Sequence, residues 1–324
     1  MIDFKLFDLA WAVADGHRLT PSEQKLLLEL PYEETDRLMP GAQLLRRTFF
    51  GSNISVCSIA NAKSGRCPED CVFCAQSVHY RAKAQYYPLK SPVQLAETGR
   101  KTVSQGVGRF SLVTSGRGLG PNELHKVALA VSDMAAEGIY TCASLGVLSA
   151  EQLLTLKKSG LNRYHHNLET APGFFSRICT THEFSERVHT VRLARQADLS
   201  VCSGAVFGLG ESDAQVMELA LTLRELEVDA VPVNFLVTIP GTPLEKMTRI
   251  SPLRCLKIIC LLRYMLPDKE IIICGGRVEN LGELQPLIFM AGASGVMTGN
   301  YLTREGRDAR ADLKLIRDLG LNPG

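Results

Sequence analysis

Three thiols fall within eight residues of this chain, Cys67, Cys71 and Cys74, in the spacing C-x3-C-x2-C. Iron–sulfur clusters are held by cysteine thiolates from short loops, and three at this spacing wrap one corner of a four-iron cluster. No fourth ligand follows in the local sequence. One iron is then left open, and an open metal position is where a substrate or cofactor binds. Structural zinc wants four ligands, usually with a second C-x2-C or a His pair close by. A disulfide framework belongs to small secreted domains. A cluster is therefore the first expectation, with zinc or bare reduced thiols as the alternatives.

The elements that must position this loop are short apolar or β-branched runs alternating with amphipathic stretches. The expected strands are Ile54–Ala60, Phe110–Ser115, Tyr140–Gly146, Arg163–Glu169, Val201–Gly208, Val231–Val237, Ile271–Gly275 and Gly295–Thr298. Helical stretches between them include Pro121–Glu137, Ala150–Ser159, Glu183–Ala197, Ala214–Glu227 and Arg254–Tyr264. Strand and helix alternating in this way argue for parallel βαβ units. Eight of them predict an α/β fold, a closed (β/α)8 TIM-type barrel with its functional residues at the C-terminal strand ends. The cysteine triplet follows the first strand and lands on that face. Residues 1–50 read as an N-terminal helical extension, or cap, on a barrel of residues 51–324. Leu6, Leu9, Ala10 and Val13 make one apolar stripe, and Thr20-Pro21-Ser22-Glu23 opens a second helix.

The remaining cysteines separate into two groups. Cys57, Cys142, Cys202 and Cys274 lie on the first, third, fifth and seventh expected strands. Barrel interiors are filled by layers of four side chains from alternate strands. Packing explains any one buried cysteine, but four in one layer point to a second metal cluster inside the barrel. Cys179, Cys255 and Cys260 fall on helices or loops and read as packing residues. His165, Asn167 and Glu169 share one face of strand four by alternation, and polar groups on an inward face call for a polar ligand. Arg187, on the following helix, is in reach of a carboxylate, and Asn234 interrupts the apolar sixth strand.

Composition narrows the function classes. With Lys+Arg 36 against Asp+Glu 34 in 324 residues, nothing points to nucleic acid or an anionic membrane surface. The opening Met1-Ile2-Asp3-Phe4-Lys5 breaks its apolar character with charge, unlike a signal peptide, and no apolar run is long enough to span a membrane. Ten cysteines without an export signal predict a reducing compartment, hence the cytoplasm.

The triplet, with Phe73 just before its last cysteine, resembles the radical S-adenosylmethionine superfamily. Cys67-Pro68-Glu69-Asp70-Cys71 with Gln76, His166-Asn167-Leu168-Glu169-Thr170, Val201-Cys202-Ser203-Gly204, Gly208-Leu209-Gly210-Glu211 and Gly241-Thr242-Pro243-Leu244 are similar to the biotin synthases within it. The resemblance runs from about residue 50 to the C-terminus. It implies an open-iron [4Fe-4S] cluster on Cys67, Cys71 and Cys74 that binds S-adenosylmethionine. One electron, from a donor such as flavodoxin or ferredoxin, cleaves that cofactor to methionine and a 5′-deoxyadenosyl radical. The radical takes hydrogen from C9 and then C6 of dethiobiotin, and sulfur from an auxiliary cluster is inserted between them. Phe73 and Val237 match positions at the adenine, Asn167 and Glu169 those near the ribose, and Arg187 the one facing the methionyl carboxylate. His165, Asn167 and Asn234 match positions at the substrate. A homodimer is implied as well.

Two departures stand out. The family's familiar form holds a two-iron donor cluster with three cysteines and an arginine. Cys142 and Cys202 match two of those cysteines, while the third falls on Ser111 and the arginine on Ile272. Cys57 and Cys274 are gained instead, which predicts an all-cysteine, four-iron auxiliary cluster. His165 also replaces the usual asparagine. Other barrel radical enzymes, such as a metallocofactor maturase or a mutase, need no four-cysteine layer. An iron–sulfur redox sensor needs no polar fourth strand.

Overall fold

The computed structural model describes residues 3–302 and 306–324, so Met1 and Ile2 of the opening run lie outside the described residues. Four helical segments come first: α1 (Phe4–Ala14), α2 (Pro21–Glu29), a 3-10 turn (Tyr32–Arg37) and α3 (Met39–Phe50). Strands β1 (Asn53–Lys63), β2 (Arg109–Thr114), β3 (Thr141–Ser144) and β4 (Arg163–His165) follow, separated by α4 (Pro92–Val103), α5 (Pro121–Ala136) and α6 (Ala150–Lys158). After α7 (Phe184–Gln196) come β5 (Ser200–Cys202), β6 (Ala205–Phe207), α8 (Asp213–Glu225) and β7 (Ala230–Phe235). The chain ends with α9 (Pro252–Met265), β8 (Glu270–Ile273), α10 (Arg277–Leu281), β9 (Gly295–Met297), α11 (Ala309–Asp318) and β10 (Asn322–Pro323).

All strand pairings are parallel, and β1 pairs with β9 as well as β2, so the sheet closes into a barrel. β5 and β6 are two pieces of one stave, which makes eight staves in all, as the alternation of elements predicts. β1 shows why the sequence folds this way. Ile54, Val56, Ser58, Ala60 and Ala62 are buried in turn, while Cys57, Ile59 and Asn61 between them are half-exposed. That is the period of two expected of a strand with helices outside and a lumen inside. Helices α2, α4, α6 and α8 each begin with a capping box, at Thr20/Glu23, Ser91/Gln94, Ser149/Gln152 and Ser212/Gln215. The N-terminal helices are tied to α9: Lys257 Nζ donates to the carbonyls of Leu28 and Leu30, and Tyr264 donates to that of Leu6. Among the described residues no helix is long and apolar enough to cross a membrane.

The bounds of the expected strands shift by up to four residues, and three of the shifts bear on the site. Strand four stops at His165 rather than Glu169, because the next residues bond to the fifth stave through Asn167 and the Gly204 carbonyl. Strand five breaks at Ser203-Gly204; a side chain on Gly204 would collide with the Pro232 carbonyl, so glycine lets the stave kink inward there. Strand seven ends at Ile273, leaving Cys274 one residue beyond it, held by its N–H on the Val233 carbonyl.

Candidate active site

In a parallel sheet, residues directly opposite one another face the same side. The register pairs Cys57 with Arg109, Ser111 with Cys142 and Cys142 with Arg163. Further round, His165 pairs with Cys202, Cys202 with Ala230 and Ala230 with Glu270. This face is the lumen, which holds a cavity of about 430 Å³ opening at the C-terminal strand ends. Cys57, Cys142, Cys202 and Cys274 all line it, so the four cysteines of the odd staves face one interior space. Burial pushes the Cys57 thiol up to about 12 and that of Cys142 up to about 11, and it raises Cys202 and Cys274 further. Without metal these thiols stay protonated, and loading a cluster must expel their protons. Their sulfurs are not gathered for a single ion. Among the described residues the only trio of ligand atoms within 4.8 Å of one another is Glu69, Cys179 and His182. A wider set of soft donors around a cavity fits a multi-iron cluster better than zinc. Ser111 lines the same cavity, and its buried Oγ has no hydrogen-bond partner among the described residues.

The triplet sits at the mouth of this lumen, in the loop after β1. Gln76 anchors the loop: its Oε1 accepts from Ser64 Oγ (3.0 Å) and Gly65 N (2.9 Å). Cys67 N–H donates to the Gln76 carbonyl (2.8 Å) and Cys74 N–H to that of Cys71 (2.9 Å). Cys67, Cys71 and Cys74 all line the cavity with Phe73 beside them. These bonds fix the loop so that all three cysteines border one cavity, the neighbourhood a three-thiolate cluster ligand set requires. Burial raises Cys74 to about 11, so here too metal binding must displace a proton.

Strand four and its exit carry the polar groups. His165 Nε2 donates to Asn167 Oδ1 (2.9 Å), and Asn167 Nδ2 donates to Glu169 Oε2 (3.3 Å). Strict alternation does not survive here: His166 lines the cavity too, and Glu169 adopts φ +70°. The three expected residues are nevertheless joined in one hydrogen-bonded chain. His165 touches water only within the lumen, and burial lowers its pKa to about 4, so it is neutral near pH 7. Burial raises the Glu169 carboxyl. Arg187 reaches in from α7, 3.7 Å from Glu169 Oε1, with Nη1 donating to the Asn167 carbonyl (2.9 Å). Val237 and Asn234 line the opposite wall. Asn234 accepts from Gly275 N (3.0 Å) and donates to the Ala205 carbonyl (3.2 Å), so its amide also ties neighbouring staves together.

Several residues of the site escape the sequence reading. Cys179, expected to be a packing residue, lies instead against the cluster loop, with Sγ 4.0 Å from Cys71 Sγ and 3.2 Å from Asp70 Oδ1. The hydrogen bond from Cys71, with others from His182 and Thr181, draws its thiol down to about 4. His182 Nε2 accepts from Arg187 Nε (2.9 Å), which leaves the proton on Nδ1 to be donated to Glu69. In that tautomer Glu69, Cys179 and His182 form a hydrogen-bonded support for Arg187. No spacing in the sequence announces it. Arg163 was legible, because it stands two residues before His165 and so shares its face. Cys255 and Cys260 are buried in α9, in keeping with packing.

The neutral state of His165 has a measurable consequence. In the cluster-free protein its folded pKa of about 4 lies below the ordinary value of about 6.5, so between those values the unfolded chain binds more protons. Stability therefore rises with pH through that window and falls on acidification, by up to about 1.4 kcal/mol per pH unit. Urea unfolding at pH 5 and pH 7 should show this slope, and His165→Asn should reduce it to the part left by His166, which burial lowers in the same direction. An identical slope in the variant would contradict the assignment.

A parallel eight-stave barrel whose first loop sets three cluster-spaced cysteines at the mouth of its lumen defines a radical S-adenosylmethionine enzyme. The profile of the Radical SAM superfamily matches residues 62–223, and that of the Biotin and Thiamin Synthesis associated domain matches residues 232–322. The chain is 51% identical over 317 residues to a biotin synthase of Desulfatibacillum aliphaticivorans, covering 98% of this chain and 97% of that one. It is 48% identical over 321 residues to a biotin synthase of Trichlorobacter lovleyi, covering 98% and 96%. The chain belongs to the biotin synthase family. A crystal structure of methylornithine synthase matches with a TM-score of 0.84 over 98% of this chain and 97% of that one, at 23% identity. The FeFe-hydrogenase maturase HydG from Carboxydothermus hydrogenoformans matches at 0.83 over 99% and 79%, at 18% identity. Both likenesses show the shared barrel.

Proposed function

We propose that this enzyme converts dethiobiotin to biotin by inserting sulfur between C9 and C6. The observation that carries this reading is a single cavity with the cysteine triplet at its mouth and four more cysteines in its depth. Reduced by one electron from a donor such as flavodoxin or ferredoxin, the cluster and its bound S-adenosylmethionine supply a hydrogen-abstracting radical, and the deeper cluster supplies sulfur. Everything else falls to the chain's own residues. Cys67, Cys71 and Cys74 hold the first cluster. Phe73 and Val237 flank the adenine, Asn167 and Glu169 take the ribose, and Arg187 pairs with the carboxylate. His165, Asn167 and Asn234 orient the substrate. The barrel wall excludes water from the reactive space. Cys57, Cys142, Cys202 and Cys274 hold the auxiliary cluster with four thiolates, and so four irons rather than two. The enzyme acts in the cytoplasm as a homodimer, with residues 1–50 as a helical extension on the barrel of residues 51–324.

The test is anaerobic turnover of the reconstituted enzyme with dethiobiotin, following 5′-deoxyadenosine and biotin together. Biotin formation is the expected result. 5′-Deoxyadenosine without biotin would overturn the reading in favour of another radical chemistry. Arg187 offers a narrower check. Removing one partner of a charge-assisted hydrogen bond costs about 1.5–3 kcal/mol, so Arg187→Leu should weaken S-adenosylmethionine binding roughly tenfold to a hundredfold by equilibrium dialysis. Unchanged binding would remove Arg187 from that role.

A further inference from the structure

We infer that Arg163, packed with Arg109 around Glu270 on the barrel floor, is the cationic counterpart of the auxiliary cluster and raises its reduction potential. The inference rests on the four-cysteine reading above. The register places the two arginines directly beside cluster cysteines: Arg163 opposite Cys142 and Arg109 opposite Cys57, all four facing the lumen. Both guanidinium groups bond to one carboxylate oxygen, Glu270 Oε2, at 2.8 Å from Arg163 and 2.6 Å from Arg109. Arg163 is the more enclosed, with its side chain 8% exposed. Its Nε donates to Ser200 Oγ (2.9 Å), which donates in turn to Asp229 Oδ2 (3.0 Å), so Asp229 is reached only through a hydroxyl. The Tyr140 ring lies 5.2 Å from the Arg109 guanidinium carbon and 6.0 Å from that of Arg163. Among the described residues, Nη2 of neither arginine makes a hydrogen bond.

One buried and one half-buried cation thus share one directly bonded carboxylate, and a surplus cation in a protein interior is costly unless an anion faces it. The lumen above supplies one once loaded. Four thiolates on a doubly positive iron–sulfur core leave a net dianion, itself costly to bury without compensation. Cluster potentials follow net charge and hydrogen bonds to the sulfurs. Reduction adds a further negative charge, so a nearby guanidinium favours the reduced form and a nearby carboxylate opposes it. Where the family's familiar form has an arginine ligand, this chain has Ile272, and positive charge stands beside the cysteines on Arg109 and Arg163.

The test is a redox titration of the barrel cluster, followed by electron paramagnetic resonance, in a background with Cys67, Cys71 and Cys74 changed to alanine. Arg163→Met should shift the potential negative by at least a tenfold change in the reduction equilibrium, 59 mV for one electron. Arg163→Lys should restore most of it. Glu270→Gln should shift the potential in the opposite direction, a reversal that loss of packing alone does not produce. If Arg163→Met fails to fold, Arg109→Gln should give the same negative shift. An intact cluster with potentials unmoved, or moved the same way by both charge changes, overturns this inference alone. Absence of a four-iron cluster in the background overturns the four-cysteine reading and the inference with it.

Discussion

Cys274→Ala is expected to end biotin formation while S-adenosylmethionine is still cleaved to 5′-deoxyadenosine. Cys274 lies just beyond β8 and lines the lumen, on a different stave from every residue of the mouth loop. Its removal leaves the triplet, Gln76 and Arg187 in place, so the first cluster assembles. On the proposed ligand set the auxiliary cluster loses one of four ligands. Outer-shell partners of a metal cost about 10–100-fold when removed, and loss of a ligand costs more, so biotin should fall by at least ~100-fold. The side chain is small and its pocket already opens on the lumen, so the fold survives. The diagnostic quantity is 5′-deoxyadenosine formed per biotin, which should rise steeply. Loss of both products in parallel would mean that Cys274 supports the first cluster or the fold instead.

Cys71→Ala should do the opposite and abolish both products to background. Cys71 is the most enclosed of the triplet, and the loop that carries it is closed by bonds from Cys67 and Cys74 to neighbouring carbonyls. Two thiolates do not hold the cluster corner. A thiol does lie close by, Cys179, 4.0 Å away, but it is bound to Asp70, Thr181 and His182 and is not among the residues lining the cavity. It is therefore not a replacement ligand, and Cys179→Ser should retain the first cluster where Cys71→Ala does not. A Cys71→Ala enzyme that still cleaves S-adenosylmethionine would show that Cys179 had moved in.

Periodicity made much of this site readable before any coordinates. Cys57, Ile59 and Asn61 alternate along β1 with the small or apolar residues Val56, Ser58, Ala60 and Ala62, so they share one face by strand geometry. The four cysteines reach the lumen by another route, the layers that alternate strands contribute to a barrel interior, and the register supplies the side-chain parity that layering leaves open. Alternation also reaches Arg163 from His165, although the polar reading stopped at the latter. Where local rules gave way, backbone bonding across staves was the cause. Asn167 captures Gly204 N–H, which ends β4 early and splits the fifth stave. Glu169 then sits at positive φ, a conformation that no alternation pattern signals. The support of Arg187 by His182 and Glu69 joins residues 69, 182 and 187 through the fold, which spacing does not encode. Helix α4 was within reach, since Ser91-Pro92-Val93-Gln94 is a capping box with proline at the first helical position.

Above all, we propose that the barrel holds a second, all-cysteine cluster beneath the first. It is tested most directly by a variant with Cys67, Cys71 and Cys74 all changed to alanine, purified and reconstituted without oxygen. Iron and sulfide content with a Mössbauer spectrum should show about four irons remaining in a four-iron cluster. A two-iron signature would contradict the ligand set of Cys57, Cys142, Cys202 and Cys274, and no iron at all would reduce that layer to packing.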